Sequence, residues 1–425
     1  MLKRKIKEQK ELDIFSAIIL KIMLIVALFC PMSTTLAGSK HPNYYQEFIL
    51  VNAIAAVFIL CYAVATIYYK RWNRENLVFG IKFFFVMCCY VIFYYLMMYS
   101  IRWKWQGVNC IISFGFFLAL MCGKNKEWFD RYHIIEFTCK SIAISNLIGI
   151  IVYLKGYASV YWYNFKLQLM LPKDFYGEKR FDWIYYHKSQ YAFMLLLSLA
   201  FVIVYRKKFK NKITFATTLG ILLICIYISH VNTAMVGGGL IICSFCVEWF
   251  IKNFKKINKW IRVISVPTFS AAVIVAGIMA YDKIAAERSI LTIGNRTYIW
   301  QGAIDLILKR PEGLGLRFSY KKLQLADWFM KTTNNGHNVF LNEILRLSIP
   351  VGICFIIFFV LIISYSVEKR FSLSTLGIWG ALLMSMMMDY AVMNSGWTLM
   401  VFFFYTIFFL GVGDKDINLR KKERN

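Results

Sequence analysis

The sequence predicts an all-α polytopic membrane protein of about 12 transmembrane helices, forming a single integral membrane domain over residues 1–425. Three observations predict it. First, 59% of the 425 residues are hydrophobic and only 17% are charged, with a mean hydropathy of +0.55; a soluble domain carries about 45–50% and about 25%. Second, the apolar residues gather in runs of roughly 20, the length that crosses a bilayer. Third, the 50 Lys+Arg against 23 Asp+Glu, a formal net charge of +27, collect in short clusters between alternate runs. An ordinary soluble enzyme, a disordered chain and a collagen-like repeat are all excluded.

The runs, in order, are 13–32, 48–69, 77–99, 107–122, 134–154, 189–205, 213–229, 232–251, 263–281, 344–366, 373–390 and 397–413. The first follows a basic start (Lys3, Arg4, Lys5, Lys7, Lys10) and precedes Thr35-Leu36-Ala37, which mimics a cleavable signal. An uncleaved anchor is the better reading, because its loss would reverse the direction of the second run. With the N-terminus inside, the inner segments hold 28 Lys/Arg in 65 residues, and the outer loops hold 18 in about 120. Each short cluster, such as Arg206, Lys207, Lys208, Lys210 and Lys212, falls inside. Both termini are therefore expected in the cytoplasm, including a basic tail over 414–425. The positive charge reads as topology and contact with anionic membrane lipids, and no nucleic-acid partner is expected. Most of the eleven cysteines lie within apolar runs, and the lone CxxC of Cys243 and Cys246 is in one of them. That pattern predicts neither a disulfide framework nor a metal site.

Two outer loops are too long to be mere turns: 155–188, and 282–337 between the ninth and tenth runs. The second is expected to be folded and to carry amphipathic helices. Over 295–311, apolar residues at 299, 300, 303, 304, 307 and 308 share one helical face, while Thr297, Gln301, Asp305 and Lys309 share the other. Asn295 can cap this helix, and Pro311 stops it. Such a helix suits the outer membrane surface. Arg296 at its start opposes the helix dipole, which points either to an anionic ligand or to a snorkelling side chain. Pro311-Glu312-Gly313-Leu314-Gly315 permits a tight turn. His337 opens a helix, and a helix N-terminus favours neutral imidazole. It reads equally as a general base or as a polar interface residue.

The stretch Asn295-Arg296-Thr297-Tyr298-Ile299-Trp300, then Arg310-Pro311-Glu312-Gly313-Leu314-Gly315, then Asn334-Asn335-Gly336-His337-Asn338, resembles the C-terminal signature of the O-antigen polymerase and O-antigen ligase superfamily. The resemblance places Arg296, Trp300, Pro311, Gly313, Gly315, His337 and Asn338 on the family's motif positions. His187-Lys188-Ser189-Gln190-Tyr191-Ala192 is similar to a weaker family segment. The resemblance implies a glycosyltransferase of the bacterial inner membrane with its site facing outward. It would move a glycan from a polyprenyl-diphosphate-linked oligosaccharide to a sugar hydroxyl, without cofactor or metal, alongside flippase and chain-length-regulating partners. His337 would take the acceptor proton. Arg296, then Arg317, Arg288 and Lys309, would hold the diphosphate, with Asn338 and Trp300 contributing to binding. Arg346, three residues after Glu343, is either a structural partner or an extension of the phosphate site. Nine Lys/Arg against five acids in 282–337, and six against three in 155–188, suit an anionic headgroup. The aromatics of 155–188, among them Tyr157, Tyr161, Trp162, Trp183 and Tyr185, fit either an interface belt or sugar stacking.

Two departures matter: the first means that one expected phosphate-binding cation comes from elsewhere or is not needed, and the second tilts the reading from ligase toward polymerase. Where the family carries a Ser-Arg-Gly-Ala-like stretch, this chain has Ser229-His230-Val231-Asn232-Thr233-Ala234, without the arginine. Where ligases carry a glycine pair, it has Ser348, Ile349, Pro350 and Val351, with Gly352 offset. A lipid-linked oligosaccharide flippase is the alternative of another class, but the chain shows no paired halves. Asp414-Lys415-Asp416 lies in the inner tail and Gly237-Gly238-Gly239 within a run, so neither is expected to bind ligand. Lys82 and Lys140 can snorkel inward, and Lys21 has no evident role.

Overall fold

The computed structural model describes residues 2–29, 49–69, 74–97, nine residues of 111–123, 125–163, 166–172, 181–185, 188–209, 211–254, 296–314, 336–369 and 371–388. The helices are α1 (Leu2–Phe29), α2 (Ile49–Tyr68), α3 (Arg74–Met97), α4 (Asn125–Arg131), α5 (Ile134–Leu154), α6 (Lys188–Val204), α7 (Lys212–Ile228), α8 (Asn232–Asn253), α9 (Arg296–Lys309), α10 (Val339–Leu347), α11 (Ile349–Lys369) and α12 (Leu373–Met388). Predicted runs 263–281 and 397–413 lie outside the described residues, as does much of 107–122. The others coincide with helices. Among the described residues four helices are long and apolar enough to cross a membrane: Asn76–Leu96, Ile134–Leu154, Asn232–Asn253 and Ile349–Glu368; α6, α7 and α12 are shorter apolar helices. The protein is an integral membrane protein.

The all-α expectation needs one correction. Residues Tyr157–Tyr163 (β1) and Lys166–Pro172 (β2) form an antiparallel hairpin within the 155–188 loop. Val160 N–H donates to the Trp183 carbonyl at 2.8 Å, tying the hairpin to the end of the loop. Trp183 donates its indole N–H to Ser145 of α5 at 3.2 Å, and the Tyr185 ring stacks on Tyr191 of α6. Both aromatics are buried, so they serve packing rather than sugar contact.

Helix α6 is the centre of the bundle. Every residue from Ser189 to Ile203 is buried, the state expected of a helix apolar on all sides. Around it pack α7, α8 and α12, and its Tyr191 hydroxyl donates to Asn146 of α5 at 2.9 Å; α1 packs on α2 and α5. The peripheral helices expose Ile, Leu, Val and Phe, including Leu60, Val64, Val78 and Phe85. In water such a surface would aggregate, whereas in lipid it is the expected outer face. Lys21, without a role in the sequence, places its ammonium over the Phe137 ring, 5.4 Å from the centroid.

Helices α8 and α12 share the most extensive contact of any described pair. At one end the buried Glu248 carboxylate accepts from Ser374 N–H at 2.9 Å and from the Ser374 hydroxyl, while its other oxygen meets Lys252. A side chain of α8 thus caps the first turn of α12. This end also gathers Arg131, Arg206, Lys207, Lys208, Lys212 and Lys252. Helix α11 ends at Lys369, just before α12, and so begins at the opposite end.

Candidate active site

The site is built from two short helices and the turn that joins them. Helix α9 buries Ile299, Ala303, Leu306 and Ile307. This stripe packs on Leu341, Ile344 and Leu345 of α10 and on Leu314. The buried stripe is shifted from the predicted face: Ile304 and Leu308 are exposed, leaving an apolar edge on the outside of the pair.

Pro311 ends α9 as predicted, and the turn after it clamps the two helices together. Gly313 adopts φ +87°, and its N–H donates to the Arg310 carbonyl at 3.0 Å. Leu314 N–H donates to the Leu345 carbonyl at 2.8 Å, and Ile349 N–H to the Pro311 carbonyl at 3.1 Å. A Cβ at Gly313 would lie 2.7 Å from the Ser348 nitrogen and 2.9 Å from the Arg346 carbonyl oxygen. Glycine is therefore required twice, for its backbone conformation and for close approach. These bonds fix the C-terminal ends of α9 and α10 side by side.

The predicted run 344–366 is not one helix with the segment before it. Helix α10 stops at Leu347, Ser348 takes φ 113° and ψ 163°, and α11 starts at Ile349. Ser348 thus holds a backbone conformation suited to glycine. It is fully buried, and its hydroxyl has no hydrogen-bond partner among the described residues. Gly352 lets α11 press against Ile344, where a Cβ would meet the Ile344 side chain.

His337 also has left-handed backbone, φ 45°, and is half-buried. Asn338 caps α10, accepting from Leu341 N–H at 3.1 Å. Asn342 reaches back to accept from Gly336 N–H at 2.9 Å. The cap and this return contact together hold His337 in a turn bonded on both sides. Below it, α10 presents a polar ladder of Asn342, Glu343 and Arg346 at helical spacing. Asn342 is fully buried, and its amide nitrogen has no partner among the described residues. Tyr90 of α3 donates its hydroxyl to Glu343 Oε2 at 3.4 Å. Burial pushes the Glu343 carboxyl up to about 8, against the opposing effects of Arg346 and the Tyr90 hydrogen bond. At neutral pH this group is mostly a neutral acid, a hydrogen-bond donor as well as an acceptor.

Arg296 is the first residue of α9 and is half-buried. Trp300 follows one turn later, its indole N–H buried without a partner among the described residues. Lys309 is exposed at the far end of α9, about 20 Å along the axis from Arg296 at 1.5 Å per residue. It belongs with the clamp rather than with the Arg296 end. Arg346 is half-buried beside Glu343. Arg288, Arg317 and Gly315 lie outside the described residues. Asn232, in the place of the missing arginine, starts α8 after a tight turn in which His230 takes φ 51°. Sequence reasoning missed the role of Glu343, whose partner Tyr90 is 253 residues away.

A family model described as O-antigen ligase matches residues 217–356, a third of the chain. The matched residues include most of α7, all of α8, α9 and α10, and the first two turns of α11. Over them, the resemblance to the O-antigen polymerase and ligase superfamily is borne out. No curated protein matches the chain.

Proposed function

We propose that this chain, which carries the O-antigen ligase match at residues 217–356, is a polymerase of bacterial surface polysaccharide. It acts in the cytoplasmic membrane with α9 and α10 on the outer side. The donor is a growing glycan on polyprenyl diphosphate, and the acceptor is a sugar hydroxyl of a second lipid-linked repeat unit. The observation that carries this reading is the clamp within the matched residues that joins α9, the helix begun by Arg296, to α10, the helix headed by His337 and Asn338.

In this reaction the acceptor oxygen bonds to the anomeric carbon as the bond from that carbon to the diphosphate oxygen breaks. The acceptor proton goes to His337, and the diphosphate leaves on its carrier lipid. Arg296 holds the charge that grows on the leaving oxygen, a contribution of the kind that fixed cations supply in a site shielded from water. The diphosphate leaves readily as an anion, so the site needs a base more than an acid. Trp300, one turn into α9, and Asn338, beside His337, contribute to binding. Arg346 extends the cationic wall, and Arg288 and Arg317 are further candidates for the diphosphate. Ser348-Ile349-Pro350-Val351 in place of a ligase glycine pair favours polymerase over ligase.

The test is the size profile of surface glycan in a deletion strain complemented with wild type, His337→Ala or Arg296→Ala. The expected result is a ladder with wild type and single repeat units with either variant. Long chains that accumulate on the carrier lipid would instead make the protein a ligase. Single units trapped on the inner leaflet would make it a flippase.

A further inference from the structure

The chain around His337 closes into a ring. Gly336 N–H donates to Asn342 Oδ1 at 2.9 Å, and the backbone between these two residues runs through His337, the capping Asn338 and the first turn of α10. Inside the ring, Asn338 Oδ1 accepts from Leu341 N–H at 3.1 Å, and the Asn338 carbonyl accepts from Asn342 N–H at 3.0 Å. Both neighbours of His337 are therefore fixed, Gly336 by Asn342 and Asn338 by its own cap. Between them His337 takes left-handed backbone, φ 45°, a region that residues with a side chain seldom enter.

The backbone dihedrals of a residue set where its Cα–Cβ bond points. With Gly336 released from Asn342, His337 could return to the commoner negative φ, a rotation of roughly 100° that moves the imidazole relative to α10. Asn342 itself is fully buried. It is too deep to touch substrate, so any influence on the chemistry passes through the turn that it holds. The two ends of its amide differ. The oxygen is identified by the N–H from which it accepts, while the nitrogen is buried without a partner among the described residues. A buried donor left unanswered costs stability, so the side chain contributes through its oxygen.

We propose that Asn342 is a positioning residue for the proton transfer, holding the His337 imidazole in place for the acceptor hydroxyl by way of the Gly336 N–H. The proposal rests on the reading of His337 as the base. A base must lie within hydrogen-bond reach of the proton it takes, and a misplacement of about 1 Å can cost about 10²-fold in rate. Arg296, the first candidate for the diphosphate, belongs to α9 and not to the ring. Loss of the tether is therefore expected to lower kcat and to leave KM for the lipid-linked donor little changed.

The experiment uses the full chain, purified, with lipid-linked single repeat units extracted from the deletion strain as substrate. Asn342→Leu fills the same space without an acceptor, and Asn342→Ala removes the acceptor with less bulk should Leu fail to fold. Asn342→Asp keeps an oxygen for the Gly336 N–H. Alongside turnover, the five histidines are isotope-labelled at the ring carbon between the nitrogens and followed by NMR, the His337 signal being the one lost in His337→Gln. Asn342→Leu and Asn342→Ala are expected to move the His337 signal alone and to lower kcat by about 10²-fold with KM little changed. Asn342→Asp is expected to recover both the signal and the rate. A purely structural role would reduce the yield of folded protein while the folded fraction kept the wild-type His337 signal and kcat, and that result would overturn the proposal. Inactive His337→Ala together with an unmoved signal in Asn342→Leu overturns the tether alone. Full activity of His337→Ala overturns the base itself, and the proposal with it.

Discussion

Glu343 is a carboxyl placed where ionisation is penalised. It is 3% exposed, and burial raises its pKa from 4.5 to about 8. Between those values the folded protein holds a proton that the unfolded chain has released, so stability falls as pH rises from about 4.5 and levels off above about 8. A shift of this size is worth on the order of a few kcal/mol. Glu343→Gln, which keeps the shape of the neutral acid, is therefore expected to match wild type in thermal unfolding near pH 5 and to exceed it at pH 8–9. Identical pH profiles for the two proteins would contradict the neutral-acid assignment. The residue scale also marks the limits of sequence reading. Arg296, Trp300 and His337 were legible because a short motif carries them. Glu343 read only as a helical-spacing partner of Arg346, because its contact with Tyr90 of a distant helix leaves no local signal. Lys21 stayed unexplained for the same reason: Phe137, whose ring it covers, is on another helix.

Among the elements, the turn between α9 and α10 makes the site possible. Gly313→Ala must fit a Cβ into space 2.7 Å from the Ser348 nitrogen at φ +87°. Strain of this kind costs of order 1–3 kcal/mol at least, and it falls on the bonds that join α9 to α10. The variant is expected to lose most of its polymer ladder while still being present in the membrane. Ser348→Gly should act in the opposite sense. It removes a buried hydroxyl without a described partner and relieves a non-glycine φ of 113°, so a higher melting temperature than wild type is expected. Apolar runs located the described helices, with 134–154 matching α5 at both ends. The break at Ser348 was hidden because hydropathy continues through it. The β1–β2 hairpin was hidden because strand pairing is a relation between segments, and the aromatic residues of β1 also suit an interface belt.

For the whole molecule, the arrangement of charge makes the strongest statement. Arg206, Lys207 and Lys208 follow α6 at the same end as the Glu248 cap of α12, and the positive-inside rule predicts that this end faces the cytoplasm. Lys207→Cys is expected to react with a membrane-impermeant maleimide only after cells are opened, and Lys309→Cys is expected to react from outside. The reverse pattern would put His337 in the cytosol, where no outward-facing polymerase can work. The cap that Glu248 gives α12 bears on how such a molecule is made. Its partner Ser374 follows 126 residues later, which at roughly 5–20 residues per second is roughly 6 to 25 s of synthesis. Throughout that interval Lys252, one turn further along α8, is the partner already made for this carboxylate. The α8 helix therefore enters the membrane with its charge half answered. Arrival of α12 completes the pairing, so the order of translation is also an order of assembly.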